Sequence, residues 1–242
     1  MTALRLPALP RLARKPLLLA ALLIVAGCAR DNVIPPPTQP GPLDGMPAAN
    51  SPSGVVSAFL WCNQNRSTEG YGLLFTDDFQ FAFAALDTNG NAFRDDWNRE
   101  RELVYFDHLV NGGAADQPAA SQITLVFDRS FRVQNDTRAG KYDPDRRKTI
   151  TTQVNLMIQT TDGTATNVNG KATFYLVRGD SARIPEDLDL GADPERWYIE
   201  RWEDQTLAGS GATSAQSGAA PRPLRAQPTK NATWGSIKAR YL

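Results

Sequence analysis

The chain has 242 residues with 26 basic and 26 acidic side chains, so its formal net charge is zero. A nucleic-acid-binding domain is expected to present a basic face, and this composition predicts none. With only two cysteines, Cys28 and Cys62, the chain lacks the cysteine density of a disulfide-stabilised secreted domain. Its length suits one folded domain with flanking segments.

The first 27 residues have the pattern of an export signal. Four basic residues and no acidic residue precede or begin the apolar stretch 16–27. A helix needs about 20 apolar residues to span a bilayer, and this stretch is shorter. The pattern therefore predicts a cleaved signal peptide, residues 1–27, and not a permanent membrane span.

The signal ends in Val25-Ala26-Gly27-Cys28, which resembles the lipobox of bacterial lipoproteins. We predict cleavage before Cys28 and acylation of its thiol, with palmitate among the acyl chains, because two or more chains give stable membrane attachment. The alternative is an ordinary signal peptide that ends in a cysteine by chance. Ala29 replaces the Asp of the usual inner-membrane retention signal, so we expect a periplasm-facing protein on the outer rather than the inner membrane. The processed chain would carry 22 basic and 26 acidic residues.

Two segments of low complexity flank the predicted domain. Residues 28–52 are rich in proline and predict a semi-extended tether behind the lipid anchor. Residues 207–230 are rich in Ala, Gly, Ser, Gln and Pro and predict a linker. These segments confine the folded domain to residues 53–206 and leave 231–242 as a short docking segment.

The docking segment has the pattern of a short helix. Thr233 or Ser236 can serve as its N-cap. The segment is too apolar to remain solvated after a polar linker, and two docking sites stay open, its own domain and another protein. Its apolar side chains fall on one side of the helix: Trp234, Ile237 and Tyr241.

Three helices are predicted in the first part of the domain from apolar spacing and caps. Ser53 is expected to cap the first, Thr68 the second, and Asp95 or Asp96 the third. Between the second and third helices, 79–83 alternates apolar and polar residues as a strand does. The three helices span 53–65, 69–75 and 97–110.

The second half of the domain predicts four strands, with a turn at 164–169. Apolar and polar residues alternate along these strands, which is typical of an antiparallel sheet that packs one face on helices. The four strands span 123–133, 149–158, 171–177 and 197–203.

This order of elements resembles the NTF2-like (SnoaL-like) α+β cone. The segment Tyr71–Phe79 is similar to the family's step from helix to first strand, and Trp197–Asp204 is similar to its last strand. The resemblance covers 53–206 of what would be a bacterial lipoprotein. It implies three N-terminal helices packed on a curved, mostly antiparallel sheet that can enclose an apolar pocket. Members of the family are enzymes, binding proteins or dimerisation modules.

No catalytic set of the family can be carried over residue by residue. Asp107 and His108 are the candidates for acid–base chemistry, but neighbouring helical residues point about 100° apart and do not form a simple dyad. We therefore interpret His108 as a surface or boundary residue. Candidate pocket residues are aromatic: Trp61, Tyr71, Tyr105, Tyr175 and Trp202.

No metal or cofactor is predicted. The loop that starts at Asp87 begins like an EF-hand, but Ala92 stands where glycine is required and Asn98 where a bidentate Glu is required. One histidine and one free cysteine cannot build the usual zinc site. Cys62, in an apolar helix, is interpreted as a small buried side chain.

The leading hypothesis is a non-catalytic envelope lipoprotein, held to the membrane by its N-terminal lipid, that binds a hydrophobic small ligand or an envelope protein. One alternative is a SnoaL-like isomerase, dehydratase or hydrolase. Another is a structural module that forms a homodimer. A cone filled by its own aromatic residues favours the structural alternative.

Overall fold

The computed structural model describes residues 43–84, 87, 97–207 and 229–242. The helices are α1 (Pro52–Asn65), α2 (Thr68–Gly72), α3 (Arg99–Asn111) and α4 (Trp234–Tyr241). None of these helices is long and apolar enough to cross a membrane. The strands are β1 (Phe75–Ala82), β2 (Trp97–Asn98), β3 (Ala120–Phe127), β4 (Val133–Asn135), β5 (Arg147–Thr160), β6 (Ala165–Arg178), β7 (Trp197–Leu207) and β8 (Thr229–Asn231).

Several predictions concern residues outside the described ranges. They are the signal peptide with Cys28, most of the tether, the caps Asp95 and Asp96, the EF-hand-like loop beyond Asp87, and most of the linker 207–230.

The strands form one sheet in the order β2-β1-β7-β6-β5-β3, with β4 paired to β5 and β8 paired to β6. Pairing is antiparallel except between β1 and β7 and between β6 and β8. The α+β class with a mostly antiparallel sheet and N-terminal helices is therefore confirmed. Its hydrophobic core combines α1, α2 and α3 with the inner face of the sheet.

The helix starts differ from the predicted ones. For α1 the cap is Ser51 and not Ser53: the Ser51 side chain accepts a hydrogen bond from the Gly54 N–H at 2.9 Å. Pro52 takes the first helical position, where a backbone N–H has no partner within the helix, so proline loses no hydrogen bond there. For α2 the cap is Ser67 and not Thr68.

The third helix begins at Arg99 and not at Trp97, because Trp97 and Asn98 pair with β1 as a short strand. The cap is Asn98, and not Asp95 or Asp96 as predicted; its side chain accepts a hydrogen bond from the Arg101 N–H at 3.1 Å. On this helix Glu102 is buried and Val104 is 38% exposed.

Three strand predictions need correction. The strand predicted at 79–83 begins earlier, at Phe75, so Thr76–Asp78 lies inside β1 and its two aspartates face solvent. The predicted turn 164–169 lies mostly in β6, because Asp162-Gly163 turns the chain one step earlier and Gly163 has φ 84°. The predicted strand 123–133 ends at Phe127, and β4 follows separately.

Aromatic rings fill the centre of the core. The Phe59 ring, on α1, has its centroid 5.2 Å from Trp202, 5.3 Å from Phe174 and 5.5 Å from Tyr71. These rings come from helices and from two neighbouring strands. Phe59 therefore ties the helical layer to the sheet.

Side chains of α1 and its C-cap cover the edge strand β3. Gln64 Nε2 donates to the Leu125 carbonyl at 2.8 Å, and Arg66 Nη1 donates to the Ala120 carbonyl at 2.7 Å. An uncovered edge would offer these carbonyls to a strand from another chain. Strand addition at this part of the sheet is therefore disfavoured.

Candidate functional site

Helix α4 begins against the end of β7. Thr233 is its cap and forms a capping box with Ser236, so the prediction of a capped helix is confirmed. The Gly235 N–H donates to Asp204 Oδ2 at 2.9 Å, and the Trp234 N–H donates to Thr206 Oγ1 at 2.9 Å. Two of the free N–H groups at the helix start thus find buried acceptors on the sheet.

The other end of α4 lies against α3. His108 Nδ1 is 2.7 Å from the Tyr241 carbonyl oxygen, and the Tyr241 hydroxyl donates to the Pro118 carbonyl at 2.8 Å. Trp234, Ile237 and Tyr241 are each at most 5% exposed. Their burial places α4 in the folded domain of its own chain.

Lys238 of α4 reaches the interior of the cone and forms an ion pair with Glu102 of α3. Both side chains are 0% exposed, and Lys238 Nζ donates to both Glu102 oxygens. Glu102 also accepts hydrogen bonds from the Tyr71 hydroxyl at 2.5 Å and from Trp97 Nε1 at 2.7 Å. Each carboxylate oxygen therefore has one bond from the lysine and one from an aromatic residue.

Four aromatic rings surround the Lys238 ammonium. Nζ lies 4.3 Å from the Phe81 centroid, 4.4 Å from Tyr105, 4.4 Å from Trp202 and 5.5 Å from Trp97. All four distances fall in the range in which a cation is attracted to a ring face. We call Glu102, Tyr71, Phe81, Trp97, Tyr105 and Trp202 the lysine cage.

Burial shifts the titration of the groups in the cage. It lowers the pKa of Lys238 to about 8, an effect that the negative charge of Glu102 opposes. Burial, with the nearby Glu102 charge, raises the pKa of Tyr71 well above its ordinary value. Tyr71 is therefore a protonated hydrogen-bond donor to Glu102 across the physiological range.

Asp204 receives the start of α4 and is itself nearly enclosed. Burial raises its pKa, while hydrogen bonds from Thr206 and Gly235 oppose the shift. The carboxylate accepts from the Thr206 N–H at 2.8 Å and from the Thr206 hydroxyl at 2.6 Å. Together with the bond from Gly235, these bonds compensate for the loss of water around the carboxylate.

The structure brings together three of the five predicted pocket residues, Tyr71, Tyr105 and Trp202, in the lysine cage. Trp61 instead lies at the margin of the core on α1. Tyr175 lies on the opposite face of the sheet, where its ring contacts the Arg138 guanidinium at 4.0 Å. These two residues do not contribute to the interior.

The two acid–base candidates lie outside the cage. Asp107 is exposed and accepts a hydrogen bond from the Asn111 side chain at 2.7 Å. His108 is partly buried and contacts the Tyr241 carbonyl. Neither contacts Glu102 or Lys238.

Sequence reasoning missed Glu102 and Lys238. A signal for Glu102 was present, because residue 102 precedes the buried Phe106 by four positions and therefore shares its helix face. Lys238 likewise follows Trp234 by four positions. A charged residue in phase with an apolar stripe on each of two helices indicates a buried pair.

The outer face of the sheet carries a network of ion pairs. A bulge between β6 and β7 leaves Glu200 without a partner residue on β6. The Glu200 carboxylate accepts from Arg138 at 2.6 Å, Lys141 at 2.8 Å and Arg147 at 2.7 Å. These bonds outweigh the effect of burial and hold the pKa of Glu200 at about 2. The segment 136–147 thereby covers part of the outer face.

A cavity of about 200 Å³ opens beside α4. Cavities that bind small organic ligands usually have 300–1,000 Å³. The walls mix apolar and charged side chains, among them Ile158, Asp162, Lys230, Ile237, Arg240 and Tyr241. Among the described residues, no group of three or more His, Cys, Asp or Glu side chains is placed to hold a metal ion.

No family model matches the chain, and no curated protein matches it. Solved structures do resemble it. An NTF2-like superfamily protein from Salmonella enterica is 13% identical, with 66% of this chain and 91% of that chain covered and a TM-score of 0.42. An NTF2-like protein from Rhodospirillum rubrum is 13% identical over 64% and 97%, with a TM-score of 0.41.

A third resemblance is to a ketosteroid isomerase-like protein from Erwinia carotovora. It is 9% identical, with 65% of this chain and 94% of that chain covered and a TM-score of 0.41. Two of these three solved structures are described as NTF2-like proteins. At such identities and scores, the likeness says nothing about activity.

Proposed function

We propose that the chain is an envelope lipoprotein, anchored through Cys28, whose domain binds a partner protein and does not catalyse a reaction. The observation that carries the proposal is the occupied interior, where Lys238 pairs with Glu102. While Lys238 fills the centre of the cone, another molecule has no room there. We therefore place the binding of the partner protein on the outer surface of the domain.

The saturated Glu102 argues against an enzyme. A general base must come within hydrogen-bond reach of the substrate proton that it takes. The Glu102 oxygens already accept bonds from Lys238, Tyr71 and Trp97. A substrate would have to displace α4 before it could reach this carboxylate.

The filled core also argues against a hydrophobic ligand in the cone. Tyr71, Tyr105 and Trp202, which would line such a pocket, are each at most 1% exposed. The rings of Tyr105 and Trp202 pack on Lys238, and the ring of Tyr71 stacks on Phe106. The cavity beside α4 is too small and too polar to replace that pocket.

The filled cone by itself favours the structural alternative, but the ion-pair network argues against a homodimer through the outer sheet face around Glu200. Segment 136–147 and its three cations already occupy this part of the face. A flat partner surface would have to displace the segment and leave Glu200 unpaired, which costs several kcal/mol for a buried charge.

The anchor is tested by growing cells with an alkyne analogue of palmitate and detecting the labelled chain. We expect label and membrane fractionation for the natural chain and neither for Cys28→Ser. Cys62→Ser is the matched control, because Cys62 is buried, and it should be labelled like the natural chain. Equal labelling of the Cys28→Ser chain would refute the anchor.

Native mass spectrometry of the full chain, purified gently from its own host, tests partner binding against the ligand and homodimer alternatives. We expect a protein mass that is accounted for by polypeptide and lipid, and a co-purified protein in crosslinked preparations. A reproducible small-molecule adduct would return the ligand hypothesis to first place. A homodimer without another protein would favour the structural alternative.

A further inference from the structure

We propose that the lysine cage is a binding site for a primary ammonium group, which Lys238 occupies from within the chain and which an external alkylammonium ion can enter when α4 withdraws. This inference does not depend on the lipid anchor, and it concerns the state of the domain in which α4 is withdrawn from the interior.

The walls of the site are built without α4. Glu102 and Tyr105 belong to α3, Phe81 to β1, and Trp202 to β7. From α4 come the ammonium group with its alkyl stem and Trp234, whose ring centroid lies 4.3 Å from that of Trp202. The arrangement therefore has the form of a receptor and a tethered ligand, and not of a pair of equivalent partners.

The walls also hold one another in place. The Phe81 ring is 4.9 Å from that of Trp202 and 6.3 Å from that of Trp97, measured between centroids. The Tyr71 ring stacks on Phe106 at 3.8 Å. A change of Lys238 alone leaves these contacts, and the contact of Trp202 with Trp234 of α4, in place, so we expect the cage to keep its shape in such a variant.

The chemistry of the cage selects an ammonium ion over other groups. The Glu102 carboxylate supplies a negative charge and two acceptor oxygens, which Tyr71 and Trp97 orient. The ring faces of Phe81, Tyr105 and Trp202 add electrostatic attraction for a cation and an apolar sleeve for its alkyl stem. An alcohol would gain the sleeve but not the charge, and a carboxylate would be repelled by Glu102.

The width of the site favours an unbranched chain. The side chain of lysine beyond its Cα is a butylammonium unit, and this unit lies with 0% exposure among the rings. A branched amine such as tert-butylamine would place methyl groups where the rings now stand. The site is thus suited to a slender primary amine.

The first test uses the full chain in detergent with Lys238→Ala, which removes the tethered ammonium and leaves α4 attached. We expect n-butylammonium chloride to raise the thermal midpoint of this variant in a saturable manner. Matched n-butanol, tert-butylammonium chloride and sodium chloride should give less than about a tenth of that shift. An equal shift with n-butanol would overturn ammonium recognition.

Two further variants locate the effect. In Lys238→Met, an apolar side chain of similar length fills the sleeve, so n-butylammonium should give no saturable shift. In Glu102→Gln/Lys238→Ala, the preference for n-butylammonium over n-butanol should be lost. If the preference persists without the Glu102 charge, the site is elsewhere and the proposal fails.

A measurement on the natural chain keeps the proposal testable if Lys238→Ala does not fold. Ligand that binds the cage only when α4 is withdrawn must increase the withdrawn population. We therefore expect n-butylammonium to accelerate hydrogen exchange of the α4 amides severalfold relative to sodium chloride, with β5 and β6 unchanged. No change in α4 would overturn the entry of an external amine.

Discussion

The buried ion pair between Glu102 and Lys238 makes the sharpest prediction for stability. Changing Glu102 to Gln removes the carboxylate that pairs with Lys238, a lysine that is 0% exposed. The Gln side-chain amide would also point an N–H donor at Tyr71 or Trp97, which are themselves donors at this position. Changing Lys238 to Met leaves the Glu102 carboxylate with two aromatic donors but without a counter-charge.

Breaking one side of a buried ion pair typically costs about 3–5 kcal/mol, because a charge stays buried without compensation. For a domain of this size, about 1 kcal/mol corresponds to roughly 2–4 °C in Tm. We therefore expect each single variant to lose roughly 6–20 °C. The double variant Glu102→Gln/Lys238→Met buries neither charge, so its loss should be smaller than the sum of the single losses.

Urea unfolding of the full chain, followed by tryptophan fluorescence, measures this double-mutant cycle. We expect a coupling free energy of about 2 kcal/mol or more between the two sites. Glu100→Gln and Lys230→Met change the same residue types at exposed positions and should each stay within about 0.5 kcal/mol of the natural chain. If the loss in the double variant equals the sum of the two single losses, the ion pair does not contribute to stability as argued.

Three other measurements follow from the same contacts. Burial lowers the pKa of Lys238 to about 8 in the folded chain. Between this value and the ordinary lysine pKa, the lysine is therefore protonated in the unfolded chain but mostly deprotonated in the folded one. The free energy of unfolding of the natural chain should therefore rise relative to Lys238→Met from pH 8 to 9.5, with a slope that approaches about 1.4 kcal/mol per pH unit; a falling difference would contradict this sign. Ion pairs hold the pKa of Glu200 at about 2, so the stabilisation from its carboxylate is present above the ordinary glutamate pKa and is lost as the pH falls through the folded value. In Glu200→Gln the free energy of unfolding should therefore fall less steeply with acidification than in the natural chain. An equally steep fall would contradict the network. At Gly170, with φ 149°, a Cβ would lie 2.5 Å from Thr206 Cα, so Gly170→Ala should lower the free energy of unfolding in urea by about 1–3 kcal/mol. In the control Gly72→Ala, a Cβ meets nothing within 4 Å, so this change should be neutral or stabilising. Equal losses in the two variants would refute the close approach at Gly170.

The position of α4 explains why the ligand and partner hypotheses could not be separated from the sequence. The docking segment was predicted to be a capped helix with Trp234, Ile237 and Tyr241 on one side, and the structure has this helix. Which surface receives it depends on Asp204, Thr206 and the cage, which are more than 25 residues distant along the chain. Sequence spacing alone contains no such pairing.

The local pattern of the sequence determined the class of the fold. Period-two alternation identified the main strands, apolar spacing identified three helices, and their order predicted an α+β domain. These features depend on interactions between residues a few positions apart, and they are therefore legible in one sequence. Boundaries were less accurate where two possible caps, such as Ser51 and Ser53, stand close together.

Tertiary structure alone decided what occupies the interior of the cone. Tyr71, Tyr105 and Trp202 were predicted as pocket residues and lie together in the interior, but Lys238 and Glu102, 136 residues apart, were not expected among them. A charged residue is placed on the surface by its solvation cost unless a partner compensates for that cost. The compensating partner exists only after the chain has folded, so the closed cone could be recognised only in three dimensions.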